Sequence, residues 1–372
     1  MYNMFHVILA CIAAALISVL TTPLVKKMSL AIGAVDHPNE RRVNTRAVPT
    51  MGGIAIFISF FLTIFFLVPI PNQEIWPIFL GSCVILITGI IDDLKGLSPK
   101  LKMLGISVAA SIVYFMGNIQ LNMMTLPLFG ELHFGSLSFF VTLFWILAIT
   151  NAVNLIDGLD GLASGVSMIA LTTMGIIGYF FLTVSNMAVP IMIFVFVASI
   201  AGFLPYNFNP AHIFLGDTGA LFLGFIISVM SLQGLKNATL ITLIIPIVVL
   251  GIPITDTIYA MIRRVLNKQS IATADKLHIH HRLMSLGFTH KQTVFAIYCL
   301  AAIFSLIALL YPVSTLWGSV FLTIGLGFGL ELFVELIGLT GKSNQPLLKQ
   351  IRKFARSWNR KDQTKPKCIF VN

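Results

Sequence analysis

The sequence predicts an all-α, polytopic membrane protein, and three observations support this fold class. Of the 372 residues, 57% are hydrophobic and only 10% are charged, with a mean hydropathy of +0.93. Soluble globular domains do not have this composition. The apolar residues fall into about eleven segments, each long enough to cross a hydrocarbon core of about 30 Å as a helix. Finally, the positive charges lie almost entirely on alternate connections between these segments.

The predicted transmembrane helices follow one another without a soluble domain between them. They cover residues 4–25, 51–69, 75–91, 101–117, 136–153, 161–184, 187–205, 213–233, 238–260, 293–311 and 315–337. Residues 1–340 are therefore expected to form one membrane domain, and residues 341–372 a basic cytoplasmic tail. The first segment carries its positive charges after the apolar run, at Lys26 and Lys27. A secretory signal has the opposite order, so a retained first helix is expected.

The distribution of Lys and Arg predicts the orientation. The odd-numbered connections and the tail hold 23 of the 24 basic residues, and only Lys236 lies on the other side. Because positive charge accumulates in cytoplasmic loops, the N-terminus is expected outside and the C-terminus inside. The net charge of +10 then indicates a membrane surface and anionic substrates, and not nucleic acid.

Two carboxylates and two amides lie close together between the fifth and sixth segments. They are Asn151, Asn154, Asp157 and Asp160. A charged side chain within a membrane helix costs about 2.5–3.5 kcal/mol on insertion scales, so paired carboxylates beside apolar segments indicate a function. A polar turn with a helix cap is the alternative. We predict that Asp157 and Asp160 contact a substrate.

A second acidic pair, Asp92 and Asp93, ends the third segment, and Lys95 and Lys100 follow it. Adjacent carboxylates at a helix end are suited to binding Mg²⁺ or to acting as a general base. The nearby lysines could pair with these acids or hold a phosphate. The alternative is an ordinary charged helix terminus.

Three further features belong to the inner connections. Asp217 begins the eighth segment, where a metal ligand beside the other carboxylates is favoured over a simple helix cap. Arg46 either faces a phosphate or anchors the chain at the membrane surface. In the ninth segment, Pro246 and Pro253 indicate a broken helix, which either opens a lateral groove for a lipid tail or is a plain kink.

A histidine-rich motif lies in the large inner connection before the tenth segment. It consists of His278, His280, His281 and Arg282. The spacing lacks the i, i+4 geometry of helical zinc ligands, and no partner cysteines are present. The motif is more typical of a site that binds a phosphate or sugar hydroxyls.

Together, the two acidic pairs, Asp217, the connection that carries Arg46 and the histidine motif resemble the polyprenyl-phosphate N-acetylhexosamine-1-phosphate transferase family. The resemblance covers residues 36–287 and implies transfer of a sugar 1-phosphate from a UDP-sugar to a membrane polyprenyl phosphate, with release of UMP. It also implies Mg²⁺ as the cofactor, with Mn²⁺ as the alternative. The Asp36-His37-Pro38 start and Ile279 within the histidine motif resemble the bacterial undecaprenyl-phosphate GlcNAc-1-phosphate transferases.

This branch implies UDP-GlcNAc as the donor and undecaprenyl phosphate as the acceptor. The reaction would be the first membrane step of a glycopolymer such as teichoic acid or O-antigen, at the cytoplasmic face of a bacterial inner or plasma membrane. Catalytic and metal-binding roles are carried over to Asp92, Asp93, Asn154 and Asp217. Substrate contacts are carried over to Lys100 for phosphate, to Asp160, Asn207 and Phe214 for uridine, and to His278, His280 and His281 for the sugar and diphosphate. A homodimer is left open.

Two alternatives are retained. The sister branch, the phospho-MurNAc-pentapeptide translocases, shares the Pro49-Thr50-Met51-Gly52-Gly53 run. From another class, a cation- or proton-coupled transporter also has carboxylates and broken helices in the membrane. The clustering of the acids in inner connections, and not at mid-membrane, argues against the transporter.

The charge distribution gives a direct test of the orientation. We expect a cysteine at Glu131 to react with a membrane-impermeant thiol reagent in intact cells, and a cysteine at His280 to react only after permeabilisation. Strong labelling at position 280 without labelling at position 131 would reverse the predicted topology.

Overall fold

The computed structural model describes residues 4–37, 47–126, 130–181, 187–234, 240–266, 268, 278–338 and 347–350. Arg46 and most of the tail from residue 341 to residue 372 lie outside these ranges, so the predictions for them remain predictions. Within the described residues, the protein is a bundle of α-helices, which confirms the predicted fold class.

Thirteen helices are described. They are α1 (Met4–Ala31), α2 (Gly53–Leu67), α3 (Asn72–Lys95), α4 (Pro99–Gly117), α5 (Ser138–Ile156), α6 (Leu162–Ile176), α7 (Ala188–Asn207), α8 (Gly216–Gly234), α9 (Leu240–Val249), α10 (Gly251–Leu266), α11 (Ile279–Ser285), α12 (His290–Leu310) and α13 (Leu316–Ile337). A π-helical turn, Ile177–Phe181, extends α6.

Nine helices of the described chain are long and apolar enough to cross a membrane. These are α1, α3, α4, α5, α6, α7, α8, α12 and α13. The other two predicted segments correspond to the shorter apolar helix α2 and to the pair α9 and α10. Several helices extend beyond the predicted apolar runs; α3, for example, continues to Lys95, because Lys side chains can extend from a helix end to water.

Two short antiparallel ribbons, which the sequence analysis did not predict, lie in connections. Strand β1 (Val35–Asp36) pairs with β2 (Val48–Pro49) just before α2. Strand β3 (Met123–Leu126) pairs with β4 (Gly130–His133) between α4 and α5. Both are too short to change the all-α class.

Helix α8 lies at the centre of the bundle, and nearly all of its residues are buried. Glycines on its neighbours allow this close packing. A Cβ atom on Gly89 of α3 would lie 2.3 Å from the Cα atom of Thr218, and one on Gly53 of α2 would lie 2.2 Å from the Cα atom of Gly219. The start of α8 is therefore held in backbone contact with two other helices, an approach that small residues permit in membrane bundles.

The ninth predicted segment is broken, as Pro246 and Pro253 indicated. Only Leu250 separates α9 from α10. Next to the break, a cavity of about 730 Å³ lies between α10, α11, α12 and α13. Its walls are almost wholly apolar and include Phe304, Phe321 and Phe333. We call this cavity the α12–α13 groove. An apolar cavity therefore lies beside the break, and its use by a lipid tail remains a prediction.

Candidate active site

The first turn of α8 is held by a carboxylate from α3. Asp93 accepts hydrogen bonds from the backbone N–H groups of Asp217 (3.0 Å) and Thr218 (3.1 Å), and from the Thr218 hydroxyl (2.6 Å). Free N–H groups and the helix dipole favour an anion at this position. Gly216 has φ of +72°, and a Cβ atom there would lie 2.6 Å from Asp93 Oδ2. A glycine is thus required beside the carboxylate.

Beside this cap, one ammonium group joins two carboxylates. Lys102 Nζ donates to Asp217 Oδ1 at 2.8 Å and also contacts Asp92 Oδ2. Asn154 Nδ2 donates to the same Asp217 oxygen at 2.6 Å. The other Asp92 oxygen, Oδ1, accepts from the backbone N–H of Leu97 at 2.6 Å. The predicted metal-site residues from α3, α5 and α8 therefore meet around Lys102.

The chemistry of these side chains fits Mg²⁺. Asp92, Asp217 and Asn154 supply carboxylate and amide oxygens, the ligands that this ion prefers. Asn154 donates through its nitrogen, which leaves its Oδ1 atom as an acceptor. In the part of the chain that is described, no three His, Cys, Asp or Glu side chains form a metal-binding group, and a cation, Lys102, already lies between the two carboxylates.

The two aspartates after α5 differ in their surroundings. Asp160 Oδ2 accepts from Asn209 Nδ2 (2.8 Å) and from the backbone N–H of Ala211 (3.1 Å), so it joins two connections. Among the described residues, the Asp157 side chain forms no hydrogen bond. Removal from water, and then the nearby carboxylates of Asp217, Asp93 and Asp160, raise the pKa of Asp157 well above its usual range. Asp157 is the less constrained acid of the pair.

The two other residues of the predicted uridine pocket have structural contacts. The buried Asn207 accepts from the Ser164 hydroxyl at 2.9 Å and donates to the Ile213 carbonyl at 3.2 Å. Phe214 pairs through its backbone with Pro49 and Gly52. These bonds fix the connection between α7 and α8, and the Phe214 ring remains partly exposed.

The histidine motif lies at the start of α11 and is largely buried. His280 is 3% exposed, and a Cβ atom on Gly158 would lie 2.4 Å from its Nε2 atom. The motif therefore contacts the connection that carries Asp157. Burial, and then the neighbouring histidines, lower the pKa of His280 to about 3, so the ring is neutral at neutral pH. Because position 280 is buried, the exposed Ser285 is a better labelling site for topology.

Arg282 and Lys100 are placed differently from the other predicted site residues. Arg282 Nε donates to the carbonyl of Ile337 at 3.1 Å, so it joins α11 to the end of α13. Lys100 is exposed in the first turn of α4. Lys102, two residues further along α4, is the lysine that contacts the carboxylates. Roles in substrate binding for Arg282 and Lys100 remain predictions.

Comparison with known proteins shows which family this chain is similar to. Residues 75–235 match the profile of glycosyl transferase family 4. A Bacillus subtilis (strain 168) protein named "Probable undecaprenyl-phosphate N-acetylglucosaminyl 1-phosphate transferase" is 39% identical over 95% of this chain and 98% of its own length. The chain belongs to this transferase family. The resemblance found in the motifs is thereby confirmed, and the transporter alternative is not supported.

More distant relatives extend the comparison. A Mycobacterium leprae (strain TN) protein named decaprenyl-phosphate N-acetylglucosaminephosphotransferase is 31% identical over 77% of this chain and 79% of its own. A Yersinia pestis protein named undecaprenyl-phosphate alpha-N-acetylglucosaminyl 1-phosphate transferase is 30% identical over 77% of this chain and 79% of its own. Family members with different polyprenyl acceptors in their names are thus similar to this chain.

Sequence analysis missed three residues that the structure brings to the site. Lys102 contributed only to the count of basic residues, and Lys100, two positions before it, was expected to contact the phosphate. Asp256 was not assigned a role from the sequence, although Thr255, Asp256 and Thr257 form a polar run in an apolar segment. His290, which accepts from the backbone N–H of Asp160 at 3.3 Å, has no motif around it.

The Lys102 bridge predicts a change in stability that does not depend on any activity. In Lys102→Met, Asp92 and Asp217 lose the intervening positive charge. Removing one partner of a fully buried pair costs about 3–5 kcal/mol, and about 2 kcal/mol is expected here because Asp217 is partly exposed. The midpoint of thermal unfolding in detergent with EDTA should fall by several degrees.

The matched control is Lys100→Met, which removes an equal charge from the same helix turn and should leave the midpoint unchanged. Adding Asp217→Asn to Lys102→Met should recover part of the loss, since the remaining carboxylate then faces a neutral amide. Equal midpoints for the two lysine variants would contradict the bridge.

Proposed function

We propose that this protein transfers GlcNAc 1-phosphate from UDP-GlcNAc to undecaprenyl phosphate and releases UMP. The observation that carries the proposal is the 39% identity to the Bacillus subtilis relative over almost the whole of both chains. The structure supports it because carboxylates, an amide, a lysine and histidines meet at one end of an apolar bundle. We place this end at the cytoplasmic face, on the distribution of basic residues, and assign the product to a cell-envelope glycopolymer such as teichoic acid or O-antigen.

The reaction forms a bond between an oxygen of the acceptor phosphate and the β-phosphorus of UDP-GlcNAc. The bond from that phosphorus to the bridging oxygen breaks, and UMP leaves. Both reactants are anionic, so positive charge must reduce their repulsion. The Lys102 ammonium, already placed between Asp92 and Asp217, can turn towards the reacting phosphates. A bound Mg²⁺ would neutralise diphosphate charge as a Lewis acid, held by Asp92, Asp217 and Asn154.

Proton transfer is not the main difficulty in this reaction. The second pKa of a phosphate monoester is about 6, so the acceptor is mostly dianionic at neutral pH. Asp93 is already bonded to three donors at the start of α8. We therefore assign to Asp93 chiefly the positioning of Asp217, and to Asp92 the contact with metal and acceptor phosphate.

The α12–α13 groove supplies a place for the acceptor's isoprenoid chain. It begins near Ser314 and Gly318, at one end of α13, and reaches Thr255 and Ile279 at the other. Thr255 directly precedes Asp256, and Ile279 directly follows His278. A chain lying in the groove would thus bring its phosphate towards the histidine motif. The apolar side of Ile279 lines the groove.

The donor and metal requirements can be tested on the purified protein in detergent with undecaprenyl phosphate. We expect UMP release from UDP-GlcNAc, abolished by EDTA and restored by Mg²⁺ or Mn²⁺. In a competition, UDP-GlcNAc should be consumed in preference to UDP-MurNAc-pentapeptide. Asp217→Asn should lose most of the activity and require more Mg²⁺, while its elution in size-exclusion chromatography stays unchanged.

Preferential consumption of UDP-MurNAc-pentapeptide would assign the chain to the translocase branch and refute the GlcNAc assignment. Near-normal turnover of Asp217→Asn at low Mg²⁺ would refute the metal assignment. Omitting the lipid phosphate is the control for hydrolysis of the donor.

The groove assignment predicts a difference between two neighbouring glycines of α13. Both Gly325 and Gly327 have open space where a Cβ atom would lie, but only Gly325 lines the groove. Gly325→Phe should fill the groove and raise KM for undecaprenyl phosphate at least several-fold, with KM for UDP-GlcNAc unchanged. Gly327→Phe, the matched control, should have little effect. Equal KM values in the two variants would show that the chain lies elsewhere.

A further inference from the structure

One buried carboxylate, on helix α10, holds the start of the histidine motif in place. Asp256, on α10, is 1% exposed. Its Oδ2 atom lies 2.9 Å from Nδ1 of His278, and its Oδ1 atom accepts from the backbone N–H of Ile279 at 2.9 Å. Both oxygens therefore have a partner, as a buried carboxylate requires. His278 is the residue directly before α11, so the same contact also satisfies a free N–H at the helix start.

This contact determines which nitrogen of His278 carries hydrogen. An ionised carboxylate can only accept hydrogen bonds, so Nδ1 of His278 must be protonated. The Nε2 atom is on the opposite side of the ring and forms no hydrogen bond with the described residues. Fixing one ring nitrogen in this way fixes the tautomer and the ring direction, as carboxylates do for metal-bound and catalytic histidines.

The ring held by Asp256 is aligned with the rest of the motif. The rings of His278 and His280 are parallel, with an angle of 2° and a centroid separation of 5.9 Å. His280 in turn lies against Gly158, next to Asp157. A row of side chains thus runs from α10 to the connection that carries the acidic residues. His280 Nδ1 is buried and has no hydrogen-bond partner among the described residues.

We propose that Asp256 is a positioning residue that holds the Nε2 atom of His278 towards the sugar phosphate of the donor. This inference rests on the proposed function, since it assumes that the histidine motif contacts the nucleotide sugar. Asp256 acts through His278 and does not touch the substrate itself. Its effect should therefore appear in donor recognition and turnover, and not in binding of the lipid acceptor.

The substitution Asp256→Asn changes the tautomer without removing the side chain. The backbone N–H of Ile279 is a fixed donor, so it pairs with the remaining oxygen of the amide. The NH₂ group then faces His278, whose Nδ1 atom must accept, and the hydrogen moves to Nε2. We expect ¹⁵N NMR of histidine-labelled protein to show protonated Nδ1 in the wild type and protonated Nε2 in Asp256→Asn, with His278→Gln used to assign the signals.

The loss of this ring orientation in Asp256→Asn should also lower the rate of the reaction. Residues that orient a histidine typically contribute about 10- to 100-fold to the function of that histidine. Asp256→Asn should lower kcat/KM for UDP-GlcNAc by this factor and leave KM for undecaprenyl phosphate unchanged, and Asp256→Glu should recover part of it. The double variant with His278→Gln should be no slower than His278→Gln alone. Thr257→Val, a buried neighbour on α10 that bonds only Pro253 among described residues, is the matched control and should be near normal.

Each outcome separates this inference from the proposed function. An active wild type with an unprotonated Nδ1, or an Asp256→Asn variant of normal kcat/KM, would overturn the inference and leave the function intact. Additive losses in the double variant would also overturn it, because they would indicate a structural role. A wild type that releases no UMP but shows protonated Nδ1 would refute the function and retain the Asp256–His278 arrangement. The wild-type spectrum tests the inference even if Asp256→Asn does not fold.

Discussion

The contact between the Asp93 carboxylate and the first turn of α8 is the constraint on which the rest of the site depends. Helix α8 is surrounded by other helices, so water cannot readily satisfy the free N–H groups at its start. The carboxylate does so from α3, and its charge suits the positive end of the helix dipole. Gly53 and Gly89 bring two neighbouring helices into backbone contact with the same turn, so the backbone at Asp217 is held by its neighbours on both sides.

Once Asp217 is fixed, the surrounding charges follow from electrostatics in a poorly solvated place. Asp92 and Asp217 would repel each other strongly at low dielectric, and the Lys102 ammonium between them removes that repulsion. Asp157, which lacks such a partner among the described residues, has a raised pKa instead. The site thus holds several acids close together by neutralising some with a cation and favouring the protonated form of another. Under the proposed function, the same acids would accept further positive charge when an anionic substrate enters.

The sequence predicted the helical membrane fold and most of the polar residues that meet in the site, because charged side chains are rare in apolar segments and stand out there. It could not predict which of two nearby lysines would reach the carboxylates. Lys100 and Lys102 differ by two positions, or about 200° around a helix, and their directions depend on where α4 begins and how it packs on α3. The structural contacts of Asn207 and Arg282 were hidden for a different reason. Both donate to backbone carbonyls, of Ile213 and Ile337 respectively, and a backbone carbonyl carries no sequence signal.

The two halves of the site, the carboxylates around α8 and the histidine motif at α11, are held by different kinds of contact and therefore differ in how easily they can change. The carboxylate half is fixed by backbone contacts around α8, where even one added methyl group would collide with main-chain atoms. The histidine half is joined to the bundle by side-chain bonds, from Asp256 to His278 and from Arg282 to Ile337. Side-chain bonds can be lost or moved one at a time, whereas a backbone contact cannot change without moving a helix. Under the proposed function, variation in the sugar recognised would therefore be easier to accommodate at α11 than at α8, where the charge of the reacting phosphates would have to be balanced in every case.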